Sequence, residues 1–150
     1  MFQQRGFTLV EVLASLVILS IVLIGVSNLF IFTNKTAVTN NEKLLVMNLS
    51  KATMERMKME PFAYIKKSEQ FNEPMTYTYE TCKQQHLAQC EQRYQPTINN
   101  KRYLVEITAS QSKDSYVVNE EKLGLINVIV TVEDETKKIK NQVEGYVRDG

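Results

Sequence analysis

The chain has 150 residues, room for one modest domain rather than two. Its 18 Lys+Arg against 17 Asp+Glu exclude the bulk positive charge of a general nucleic-acid binder. One histidine, two cysteines and five scattered glycines leave little for a metal site and nothing for a glycine-rich phosphate cradle, so the composition points away from most enzymes and toward a membrane-anchored interaction protein.

Hydrophobic residues make up 43% of the chain while its mean hydropathy is −0.26, so the apolar content is concentrated. Much of it lies in Val12–Phe32, 21 consecutive residues without a charge. As a helix this run rises about 30 Å, the thickness of a bilayer's hydrocarbon core. A secretory signal peptide is the competing reading. Its apolar region is usually about 7–15 residues and ends at a small-x-small site, and Thr33-Asn34-Lys35 offers no such site. Flanking charge gives only a weak orientation, with Arg5 and the amino terminus before the run and Lys35 and Lys43 after it. The N-terminus is placed in the cytoplasm mainly because two cysteines favour an oxidising compartment for the rest. Glu11 stands at the entrance to the run. One reading is an interfacial carboxylate favoured by the helix N-terminal dipole; the other is a charge that needs a partner, since a central membrane charge costs about 2.5–3.5 kcal/mol.

The residues around Glu11 are Gly6-Phe7-Thr8-Leu9-Val10-Glu11, preceded by the short polar leader Met1-Phe2-Gln3-Gln4-Arg5 and followed by the apolar run. This arrangement resembles the type IV prepilin and pseudopilin family, with its basic leader, Gly, aromatic residue, Glu five positions into the mature chain and long apolar helix. The resemblance covers residues 1–32 closely and the remainder in architecture only. It implies cleavage between Gly6 and Phe7 by a prepilin peptidase and N-methylation of Phe7. It also implies residues 1–6 as leader, 7–32 as membrane and filament-core helix, and 33–150 as an extracytoplasmic pilin-like domain. Cleavage places a positive amine four residues before Glu11, on one helix face. In a filament of axially offset helices, Glu11 of an entering subunit meets the Phe7 amine of its neighbour and favours one register. Many major pilins carry a kinking proline near the position of Asn28. None occurs between Met1 and Glu60 here, which leans toward a minor pilin or pseudopilin, of the V-type or the matching type II secretion kind.

From Thr36 to Ile65 the sequence stays helix-compatible, ending near Pro61. Val38, Leu45, Leu49, Ala52 and Met59 recur at spacings of 7, 4, 3 and 7 on one face, widened by Val46, Thr53 and Met57, with Arg56 intruding. Period-2 alternation then predicts strands over Met75–Thr81, over Tyr103, Val105, Ile107 and Ala109, over Ile126, Val128, Val130 and Val132, and more weakly over Gln142–Arg148. Lys113–Val118 reads as edge strand or loop. The expected fold class is α+β: a long N-terminal helix whose second half packs against a small antiparallel sheet.

Cys82 and Cys90 enclose seven residues. In an exported chain this reads as a disulfide, worth about 2–3 kcal/mol on the chain-entropy model. The rival, a metal site with His86, lacks a fourth ligand and zinc-like spacing, so neither metal nor cofactor is expected. No nucleophile, base and orienter can be assembled around a lone histidine, so no catalytic residue is expected. The leading functional expectation is a structural subunit of a type IV pilus, competence pseudopilus or type II secretion filament. Its partners are other pilins or pseudopilins, the prepilin peptidase, a membrane platform protein and, before assembly, the bilayer, with no small-molecule substrate. It is expected as a single-pass protein of the plasma (inner) membrane, then in a surface or periplasmic filament. The alternatives are an unrelated single-pass protein or a pilin that captures DNA or adheres to a surface. Support for DNA is faint: setting aside Arg5 and Glu11, residues 33–150 hold 17 Lys+Arg and 16 Asp+Glu, and Lys137, Lys138 and Lys140 stand beside Glu133, Asp134 and Glu135.

Overall fold

A computed structural model of the chain describes residues 8–66, 71, 73–112 and 119–149. The chain divides into two compact units, Met1–Asn41 and Glu42–Gly150, and one helix, α1 (Leu9–Met59), contributes to both. In the first unit the large apolar side chains of α1 are exposed, from 46% at Val12 to 78% at Leu9. A largely apolar surface of this kind matches lipid or other apolar helices and not water.

In the second unit α1 buries Val46, Ser50, Thr53, Met54 and Met57, a stripe with helical spacing. This face is rotated from the one the apolar spacing predicts. Val46, Thr53 and Met57 lie at its centre rather than its margin, Leu45 and Leu49 are half-buried, and Ala52 and Met59 are exposed, as is Val38 in the first unit. The difference turns on Ser50, a polar residue on the packed side that an apolar spacing leaves out. Ser50 donates to the Met47 carbonyl (2.9 Å) and accepts from the Asn141 amide (2.5 Å), so it satisfies its own polarity at a close helix–sheet contact. The helix ends where a proline ends it: Glu60 leaves the helical region ahead of Pro61, which opens a 3-10 turn over Pro61–Ala63.

The sheet comprises β1 (Met75–Tyr77), β2 (Thr97–Ile98), β3 (Lys101–Ser110), β4 (Leu125–Asp134) and β5 (Lys140–Arg148). Its order is β1-β3-β4-β5, with β2 pairing the start of β3, and all pairings are antiparallel. Alternation puts Tyr103, Val105, Ile107 and Ala109 of β3 and Ile126, Val128, Val130 and Val132 of β4 in the core, as the sequence spacing predicts. Register aligns Ile107 with Val130 and Val130 with Val143, a row of branched side chains beneath α1. At Gly145 of β5 the helix comes close: a Cβ there would stand 3.1 Å from Met54 Sδ, so the methionine side chain would have to shift by a few tenths of an ångström.

Three short helices interrupt the sheet: α2 (Tyr79–Gln84), α3 (Cys90–Tyr94) and α4 (Glu120–Leu123). The first corrects the strand expected over Met75–Thr81. Pairing stops at Tyr77 because Thr78 starts a helix, its backbone N–H donating to Thr81 Oγ1 (2.6 Å) and its own Oγ1 accepting from the Thr81 N–H (3.5 Å). Asn119 caps α4 by accepting from the Lys122 N–H, and Gly124 ends it in the left-handed region. Asn99 and Asn100, both with positive φ, make the two-residue turn between β2 and β3. The segment Lys113–Val118 lies outside the described residues.

Candidate functional site

The first feature is the start of α1. Gly6 and Phe7 lie outside the described residues, and the first described residue, Thr8, caps the helix. The Glu11 N–H donates to Thr8 O (3.1 Å) and Thr8 Oγ1 (3.3 Å), and the Val12 N–H also donates to Thr8 O (3.2 Å). Thr8-Leu9-Val10-Glu11 has the threonine-x-x-glutamate form of a capping box, a signal that reading the motif for its glycine and glutamate alone passes over. The helix therefore begins at Leu9, and Glu11 is the acidic residue of its first turn, where the helix dipole favours negative charge.

Beyond Glu11 the helix is prepared for an apolar surrounding. The three hydroxyls inside the uncharged run all donate back to helix carbonyls: Ser15 to Val12 O, Ser20 to Leu16 O and Ser27 to Leu23 O, each at 2.8 Å. Thr33, Thr36 and Thr39 continue the pattern. A hydroxyl bonded in this way makes no demand on water, so these side chains pass through hydrocarbon at little expense.

The second feature is the disulfide region. Cys82 on α2 and Cys90 at the start of α3 are bonded, with Cα atoms 5.7 Å apart, and the described residues hold no free cysteine. The enclosed loop is tied to the segment after α1 by the next residues along. Arg93 Nη1 donates to the carbonyls of Ala63 (2.6 Å) and Ala88 (2.7 Å), and its guanidinium lies 5.4 Å from the centre of the Tyr64 ring. The Tyr94 hydroxyl donates to Tyr64 O, and burial, with Tyr77 and Tyr64 adding, pushes the Tyr94 phenol well above its usual range despite the nearby Arg93. His86 is exposed on the loop, and no group of His, Cys, Asp and Glu with metal-ligand geometry occurs among the described residues.

The third feature is charge. Lys43, Lys138 and Lys140 line an open groove floored by Leu44, Met47 and Ile139. Lys140 is paired with Glu133 at 2.9 Å, and Lys101, a β3 residue outside the groove, pairs with Glu42. The positive charge is thus partly neutralised rather than gathered into a stripe.

Residues 1–27 match the family described as the prokaryotic N-terminal methylation motif. No curated protein and no solved structure matches the chain at a significant level. The matched segment, the capped helix start and the exposed apolar run coincide, and they fit membrane anchoring with an extracytoplasmic domain. The chain carries the signature of a type IV prepilin or pseudopilin at its N-terminus.

Proposed function

We propose that this protein is a minor pilin or pseudopilin, a structural subunit that enters a type IV pilus, competence pseudopilus or type II secretion filament. The observation that carries this reading is the methylation motif running without a break into a helix that exposes uncharged apolar residues from Val12 to Phe32. A prepilin peptidase cuts between Gly6 and Phe7 on the cytoplasmic side, the Phe7 amine is methylated, and the domain beyond the membrane stays outside. In the filament Glu11 of one subunit meets the Phe7 amine of the next. Unpaired in an apolar core either charge is costly, so the pair selects one axial register. This is recruitment and alignment, with no catalytic step. DNA capture is disfavoured because the lysine groove is partly neutralised by Glu133.

The test is mechanical shearing of surface filaments, or cross-linking of periplasmic ones, from cells expressing the full chain. The wild type co-fractionates with the filament. Glu11→Gln lowers incorporation by about a hundredfold, the loss expected when one partner of a buried pair is removed. Equal incorporation of the two chains contradicts the register role. Absence of the wild type from the filament fraction contradicts the subunit reading.

A further inference from the structure

Thr8 is the residue on which α1 starts. Its carbonyl accepts the Glu11 and Val12 N–H groups at 3.1 and 3.2 Å, and its hydroxyl accepts the Glu11 N–H as well, at 3.3 Å. The helical ladder closes there, and the first helical residue is Leu9. Little else in the sequence stops the helix at this point. Of the residues ahead of Thr8, Met1, Gln3, Gln4 and Arg5 are good helix formers, and only Gly6 strongly opposes a helix. An uncapped start beside hydrocarbon leaves amide N–H groups without partners, and growth of the helix toward the N-terminus relieves this. One added turn is 3.6 residues, enough to take in Phe7 and Gly6.

A second observation, independent of the cap, points to enzymes acting on this same segment: the methylation motif matched over residues 1–27. A peptidase takes the bond it cuts as extended backbone, because a helix keeps the flanking N–H and C=O groups in its own ladder. We propose that Thr8 is a positioning residue for processing: its cap ends the helix two residues past the Gly6–Phe7 bond and so leaves that bond available to the peptidase in extended form. The proposal rests on the processing reading given above and adds a residue to it. Thr8 acts through the helix it starts, not on the bond itself.

The experiment follows newly made full-length chain from precursor to mature form in peptidase-competent cells, by N-terminal mass at successive times. Two substitutions separate capping from shape. Thr8→Val keeps the size and branching of threonine and loses the hydroxyl, whereas Thr8→Asn changes the shape and keeps a strong cap. Conversion is expected to slow about fivefold in Thr8→Val, the equilibrium weight of one cap, and to stay within about twofold of the wild type in Thr8→Ser and Thr8→Asn. Thr8→Val makes the segment more apolar, so slow conversion does not reflect failed insertion. Thr8→Val at the wild-type rate, or Thr8→Asn as slow as Thr8→Val, would overturn the proposal and leave the processing reading standing. A wild-type chain that stays at precursor length would overturn that reading, and the proposal with it.

Discussion

The two parts of α1 are one helix by hydrogen bonding but follow different codes. From Val12 to Phe32 the side chains are uncharged, mostly apolar and exposed. Beyond Glu42 the helix is mixed in composition, and five residues, two of them hydroxylated, are buried against a sheet at specific contacts. The first part is written for an environment and the second for particular neighbours. A helix that faces lipid needs only an apolar surface and satisfied hydroxyls. A helix that faces a sheet needs size, polarity and register to agree position by position.

The sharpest way to break this contrast is a matched pair of truncations. Met57→Ala, at a fully buried position, is expected to lower the unfolding free energy of the folded domain by about 2–5 kcal/mol, whereas Leu19→Ala leaves it within about 0.5 kcal/mol. Thermal or denaturant unfolding of the full chain in detergent reads both, and a comparable loss from Leu19→Ala would erase the distinction. Next in size, Cys82→Ser removes the clamp between α2 and α3 and is expected to cost about 2–3 kcal/mol, measured in the same assay. Gly145→Val tests the closest helix–sheet approach, with a loss of about 1–3 kcal/mol as Met54 is displaced.

The smallest effect concerns the turn between β4 and β5. Partial burial works against ionisation of Asp134, but the Thr136 hydroxyl and the N–H groups of Ile139, Lys138 and Thr136 outweigh it and hold the carboxyl below its usual range. A carboxyl depressed in the folded state contributes stability that is present above the unfolded carboxylate range and lost as pH falls through the folded value. Acid titration of the unfolding midpoint is therefore expected to show a small loss below about pH 4 that Asp134→Asn removes.

What could be read from the sequence follows the same division. The uncharged run and the long β3 and β4 strands stand out because each repeats one simple rule over many residues, and the N-terminal motif stands out because its residue types follow in a fixed order just ahead of that run. The packed face of α1 is centred away from the apolar spacing because Ser50 counts as polar in an apolar tally, although its hydroxyl is bonded to Met47 O and to Asn141 of β5. The strand expected through Thr81 stops at Tyr77 because a local cap at Thr78 outweighs the alternation of Tyr77 and Tyr79. Helices as short as α3 and α4 have too few residues for a period; their marks are single residues such as Asn119 and Gly124. Thr8 is of this kind too, a cap inside a motif already legible for other reasons.

The N-terminal mass of the protein extracted from membranes of peptidase-competent cells decides whether the chain is processed as a filament subunit. A mature chain beginning at N-methylated Phe7 is the predicted result, with the intact precursor accumulating when the peptidase is absent. A chain that still begins at Met1 in competent cells would contradict the account and leave α1 as the anchor of a protein outside any filament.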